Sequence, residues 1–287
     1  MNIKKILQFL FVIAFFIFCL SGCGKDKITS GSEYPANDIS ELQISVDTWN
    51  LSVRAATDKN IRISFDGSVS DKDLEPATVM KDGILLVVQK STDEEQKEKL
   101  ALGKKGQVTL YVPSDCNIPI KINNGMGNVE IDSISSTELQ LVNNAGYVTF
   151  SNLAADSLKI SSASGDITVK DSDLTETEII TSSGYVQLNK VIFNSSEIAT
   201  KSGEVNVSGV SPDTAISIQT GSGDINLSYK TAPTNLNFGI ASGSKDITTH
   251  FDKATYVIET TECRQGTIGS GEYELIVNSD SGTIVIK

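Results

Sequence analysis

Glycines Gly127, Gly146, Gly165, Gly184 and Gly203 are separated by four identical steps of 19 residues. The series continues at Gly223 and Gly243, each 20 further on, then at Gly266 and Gly282, 23 and 16 further on. Around each glycine the apolar residues keep fixed places. Two and four residues after it come Val129/Ile131, Val148/Phe150, Ile167/Val169, Val186/Leu188, Val205/Val207, Ile225/Leu227 and Ile284/Ile286. Seven and five residues before it come Ile120/Ile122, Leu139/Leu141, Leu158/Ile160, Ile216/Ile218, Leu236/Phe238 and Leu275/Val277, with weaker pairs at Thr177/Ile179 and Ser196/Ile198. Alternation at period two marks strands with one inward face. The glycine between them suits a tight bend or a close backbone approach.

One such unit cannot bury its own apolar face, but a stack of them can. Equivalent strands then pair in parallel, about 4.8 Å apart. The expected fold is all-β: a parallel β-solenoid of about eight or nine 19-residue rungs over 119–287. Three residues before the glycines stands a column of small polar groups, Asn124, Asn143, Ser162, Thr181, Thr200 and Thr220. The alternation turns them inward, where stacked like groups hydrogen-bond along the column.

The chain starts with Lys4 and Lys5 and an apolar run from Ile6 to Leu20, broken only by Gln8. Fifteen residues is short for a membrane-spanning helix and fits a signal peptide over 1–22. The run ends in Leu20-Ser21-Gly22-Cys23, which resembles the lipobox of bacterial lipoproteins. That resemblance implies cleavage before Cys23 and acylation of its thiol, hence anchoring to the bacterial cell membrane with palmitate-type chains. Residues 23–36 are expected to be a lipidated tether. Residues 37–118 read as a β-rich region covering the first rung, with strands at Leu42–Val46, Leu51–Arg54, Ile61–Phe65, Ile84–Gln89 and Val108–Val112. A charged stretch from Asp93 to Lys105 reads as a loop or short helical turns.

Without residues 1–22 the chain has 22 basic and 36 acidic residues, a net charge of −14. That disfavours nucleic acid and anionic lipid as partners. Beyond Cys19 and Cys23, Cys116 and Cys263 remain. They are seven repeat steps apart, on the order of 34 Å, too far for a disulfide. Cys263 is expected to fill the inward polar column.

Ser164-Gly165-Asp166-Ile167 and Ser222-Gly223-Asp224-Ile225, with the variants Ser183-Gly184-Tyr185-Val186 and Ser202-Gly203-Glu204-Val205, resemble the repeats of a bacterial "putative adhesin" family of unknown function. The strand Val108-Thr109-Leu110-Tyr111-Val112-Pro113 also resembles that family's lead-in to the repeats. The resemblance implies a β-strand-repeat fold outside the cell. It supplies no catalytic residues.

The outward column just after the glycines holds Asn128, Tyr147, Asp166, Tyr185, Glu204 and Asp224. Tyr147 and Tyr185 should lie roughly 9–10 Å apart with Asp166 between them. Tyr147, Asp166, Tyr185 and Glu204 are the candidate ligand face, for a glycan or an extended peptide. The simpler account is a solvated strand surface, in which tyrosine is a good strand former. Glu204 and Asp224 could neighbour one another as a glycosidase pair needs, but acids in so acidic a chain produce such neighbours anyway. A lone His250 and no Cys/His cluster argue against a metal centre. Asp166, Asp171 and Asp173 lack the calcium-binding nonapeptide pattern. No cofactor is expected. The sequence therefore points to a non-enzymatic, adhesin-like binding or scaffold lipoprotein of the cell envelope, with glycan or matrix ligands. The alternative is an accessory or sensing subunit docked on a membrane protein, and a polysaccharide-active enzyme ranks third.

Overall fold

The structure is a computed structural model that describes residues 26–69, 76–89 and 106–287. Cys23, the signal segment and the whole Asp93–Lys105 stretch lie outside the described residues. Two large sheets, of 12 and 13 strands, face each other. Almost all pairing is parallel, and the antiparallel pairs are confined to the sheet ends. Setting aside two antiparallel edge strands in one sheet and three in the other leaves ten strands in each, so ten rungs. Each rung puts one strand in each sheet, with the turn between them.

Register carries the core. In the 13-strand sheet Leu139, Leu158, Thr177, Ser196, Ile216 and Leu275 stack in one column. In the 12-strand sheet Val129, Val148, Ile167, Val186, Val205, Ile225 and Ile284 stack likewise. All are buried, and together they form the narrow apolar stripe between the sheets. Thr177 and Ser196 hold their places although their hydroxyls find no hydrogen-bond partner. The backbone ladder fixes the register there, and the return after that rung adds Val191 and Phe193 to the core.

The inward polar column forms as the alternation requires. Asn124 Nδ2 donates to the Gly127 carbonyl at 2.7 Å and to Asn143 Oδ1 at 2.6 Å. Asn143 Nδ2 donates to Ser162 Oγ at 3.0 Å. Further along, Ser162 and Thr181 turn to carbonyls in their own bends, and Ser279 Oγ donates to the Gly223 carbonyl at 3.2 Å. The column therefore ties side chains to turn backbone on most rungs, while the Thr200 hydroxyl stays without a partner. At Gly165 the turn has φ +102°, and a Cβ there would strike the Gly146 carbonyl. Gly184 meets Gly165, and Gly203 meets Gly184, in the same way.

Four expectations need correction. First, 37–118 is not merely a cover. Glu41–Val46 and Asn50–Ala56 form a complete rung, with Leu42 in register with Ile120 and Leu51 with Val129. Ile84–Val88 and Gln107–Pro113 form another, in register with it. Eight rungs lie within 119–287, as expected, and these two bring the stack to ten among the described residues. In the first of these Trp49 takes the glycine's place. Gln89 Oε1 accepts the backbone N–H groups of Asp47 and Thr48 at 2.7 and 2.9 Å, and the indole packs where a Cβ on Gly67 or Gly106 would sit. Second, the expected tether runs as a strand from Asp26 to Pro35, antiparallel to Asn60–Val69. Tyr34 then reaches across to the other sheet, its hydroxyl 2.7 Å from Thr78 Oγ1.

Third, Gly266 is not a turn glycine. It lies inside Cys263–Ile268, an antiparallel edge strand packed under Phe238. Cys263 is half-buried in that strand and does not fill the polar column. Cys116 is buried, and both thiols are free. Fourth, the glycine series does not stack in chain order at its C-terminal end. Tyr273–Ser279 and Ile284–Ile286 insert between the rung of 215–229 and the rung of 236–249. The outer side of Leu236–Ser242 is already taken by the hairpin of Thr255–Glu259 and Cys263–Ile268. The final rung therefore fills the inner side, and Gly282 stacks on Gly223.

Val186→Asp places an unpaired charge at a position with no exposed surface. It should cost about 4 kcal/mol or more, read as loss of the cooperative melt by circular dichroism. Gly165→Ala forces a Cβ onto a carbonyl at positive φ. It should lower stability by at least roughly 1–3 kcal/mol in urea unfolding. Wild-type midpoints for both variants would mean that the inward register is wrong.

Candidate ligand face

Val148–Ser151, Ile167–Lys170, Val186–Asn189 and Val205–Val210 are neighbouring strands of the 12-strand sheet. Their register places Tyr147, Asp166, Tyr185 and Glu204 on successive rungs. The backbone joins them directly. The N–H of Val148 donates to the Asp166 carbonyl at 2.9 Å, that of Ile167 to Tyr185 at 2.8 Å, and that of Val186 to Glu204 at 3.0 Å. The structure thus brings all four candidate residues into one column. Tyr147 is 60% exposed, Glu204 is exposed, and Asp166 and Tyr185 are half-buried.

Half-burial of Asp166 has a specific cause. Its Oδ1 accepts the backbone N–H of Tyr185 at 2.9 Å. Asn128 does the same for Tyr147 at 3.1 Å, Asp224 for Thr283 at 2.8 Å, and Asn50 for Asn128 at 2.9 Å. An Asp or Asn here caps the start of the next rung's strand, which explains the aspartate in the Ser-Gly-Asp units. Glu204 Oε1 accepts from Asn226 Nδ2 at 3.3 Å. Glu204 and Asp224 stand on adjacent rungs, yet their oxygens serve different donors.

The next outward column runs Glu130, Thr149, Thr168, Gln187, Asn206 and Asn226. Glu130 pairs with Arg54 at 3.2 Å, both about half exposed, so the pair contributes little. At the rung corner, Asp132 accepts from Ser151 Oγ at 2.7 Å and Asn152 Nδ2 at 2.9 Å. Those two bonds hold its carboxyl below the ordinary range. Among the described residues, no group of three or more His, Cys, Asp or Glu is placed to hold a metal ion. What the face offers is a repeating pattern of phenol, carboxylate, amide and hydroxyl groups at rung spacing. Such groups hydrogen-bond to a polar chain laid across them and stack on its apolar faces.

Solved structures resemble this fold. A "putative adhesin" from Parabacteroides distasonis ATCC 8503 aligns over 92% of this chain and 96% of its own, at 13% identity and a TM-score of 0.51. A "putative adhesin" from Bacteroides fragilis NCTC 9343 covers 93% and 100%, at 14% identity and a TM-score of 0.48. A "putative lipid binding protein" from Parabacteroides distasonis ATCC 8503 covers 90% and 96%, at 13% identity and a TM-score of 0.47. No curated protein matches the sequence. The Toastrack DUF4097 family matches residues 39–287, which take in all ten rungs, and the chain belongs to that family.

Proposed function

We propose that this protein is a non-enzymatic binding and scaffold module of the bacterial cell envelope, adhesin-like in mode and lipid-anchored through Cys23. The observation that carries the reading is the in-register column Tyr147, Asp166, Tyr185 and Glu204, flanked by the column of Thr168, Gln187 and Asn206. A ligand with its own repeat, a glycan or an extended matrix segment, meets the same groups at each rung. Weak contacts then add through effective concentration. The two tyrosines supply the apolar contact area, while Asp166 mainly orders the strand that presents Tyr185.

Asp26, the first described residue, stands three positions after Cys23 and lies on the edge strand at the N-terminal end of the stack. An acylated Cys23 therefore holds the N-terminal end of the stack near the membrane. The ten rungs carry the opposite end outward by roughly 43 Å at strand spacing. The long axis and the repeated faces then stand away from the bilayer, which suits capture of an external polymer.

The chain from residue 24 onward should bind isolated cell-wall polysaccharide or host-matrix preparations. The double variant Tyr147→Ala/Tyr185→Ala should bind at least tenfold more weakly with an unchanged melt. Absence of binding to every preparation, together with crosslinking to one integral membrane protein in native membranes, would replace this reading with that of an accessory subunit. Cys23→Ser should abolish incorporation of labelled palmitate and move the protein out of the membrane fraction; retention of the label would show that Cys23 is not the acylated residue.

A further inference from the structure

The C-terminal end of the stack carries a cation that the ligand face leaves unused. Arg264 stands opposite Ile240 in the antiparallel ladder. Ile240 is buried, so Arg264 shares its face and turns into the gap between the two sheets. From there Arg264 Nη1 donates to Thr249 Oγ1, on the last strand of the other sheet. Thr249 Oγ1 lies 3.3 Å from the hydroxyl of Tyr256. Phe238 packs behind this group, its ring centroid 4.9 Å from Phe251 and 5.4 Å from Tyr256.

The chain has three arginines. Arg54 is paired with Glu130 at 3.2 Å and Arg62 with Asp58 at 2.6 Å. Arg264 has no such pair among the described residues. Its ladder neighbour Glu259 is exposed and forms no ion pair with it, while nearby Glu262 is held by Lys245 at 2.6 Å. Arg264 Nε is buried without an acceptor. A guanidinium offers five donors in a planar fork that matches an oxyanion. An Nε–H withdrawn from water without an acceptor is costly, and the aromatic wall lowers the local dielectric and strengthens any charge-assisted bond made there. The hydroxyls of Thr249 and Tyr256 stand beside the fork; one donates to the other, which leaves one hydroxyl proton of the pair for a ligand.

We propose that this end of the solenoid is an oxyanion-binding site, in which Arg264 takes a carboxylate or phosphate group of an acidic ligand with help from Thr249 and Tyr256. The site is separate from the tyrosine column. On the anchored orientation it lies at the outermost end, where an acidic polymer or a charged terminus arrives first.

The test uses the full chain purified in detergent micelles. Its three arginine Nε–H resonances, with those of Arg54 and Arg62 identified through Arg54→Lys and Arg62→Lys, are followed by heteronuclear NMR. Inorganic phosphate and glucuronate are titrated separately at constant ionic strength set with sodium chloride. The Arg264 resonance should move saturably with at least one of them, and the response tells phosphate from carboxylate recognition. Arg264→Gln should weaken that binding at least tenfold by calorimetry, whereas Tyr147→Ala/Tyr185→Ala should leave it unchanged. An Arg264 resonance that stays put with both anions, or moves equally with added chloride, would overturn the proposal. So would undiminished affinity in a folded Arg264→Gln chain. The unsubstituted protein alone decides the first of these, so a variant that does not fold leaves the test intact.

Discussion

Parallel stacking at a single strand spacing makes every residue the neighbour of its own counterpart one rung away. The rest of the structure follows from that constraint. At the bend the backbone of one rung lies against the bend of the last, so a Cβ at Gly146, Gly165 or Gly184 has nowhere to go. Inside, like apolar groups stack in register, and most of the small polar column finds partners because amide, hydroxyl and turn carbonyl repeat at the same interval, Thr200 being the exception. Outside, the rule works against charge, since like charges directly opposite repel. The outward column answers by alternating Tyr147, Asp166, Tyr185 and Glu204. Where Glu204 and Asp224 do fall on adjacent rungs, one accepts from Asn226 and the other from a backbone N–H.

That constraint also sets what the sequence reveals. The rungs between Ile120 and Leu227 are readable because the bend tolerates only glycine at a fixed interval. The first rung hides because another solution replaces the glycine: Trp49 at the bend, with Gln89 satisfying the backbone. A signal was nevertheless present. Leu42 and Leu51 are nine apart, as are Ile120 and Val129 or Leu158 and Ile167. The apolar offset survives where the glycine does not. Gly266 misleads for the converse reason. Its lack of a side chain serves the approach of Thr255 and Phe238 within an edge strand, so composition matches while the cause differs.

Strand order at the C-terminal end is beyond any periodicity argument. Rungs 236–249 and 273–286 have the same inward pattern and could stack in either order. In the folded chain the hairpin pairs with one side of Leu236–Ser242 and the last rung with the other. The candidate face was readable as a column, since register follows from period. The double duty of Asp166 was not. That a carboxylate one residue after the glycine caps the following rung depends on the relative height of two strands, which the spacing alone does not encode.

The two ends and the two faces consequently obey different rules. A residue on a face sees its counterpart on each side, so a favourable group can be repeated and its contacts multiplied, but a unique arrangement of several chemistries is hard to build. At an end the repetition stops. The N-terminal end spends this freedom on closure, with Tyr34 reaching Thr78 across the sheets. At the C-terminal end an antiparallel hairpin brings Arg264 and Tyr256 together with Thr249 of the opposite sheet. Arg264 and Tyr256 have no equivalents in the rungs before them, and Thr249 takes a position where Ile286 and Leu227 are apolar. On the proposed reading, avidity would belong to the faces of such a stack and selectivity to its terminus, and a polymer long enough to lie along one while its charged group engages the other would be recognised by both.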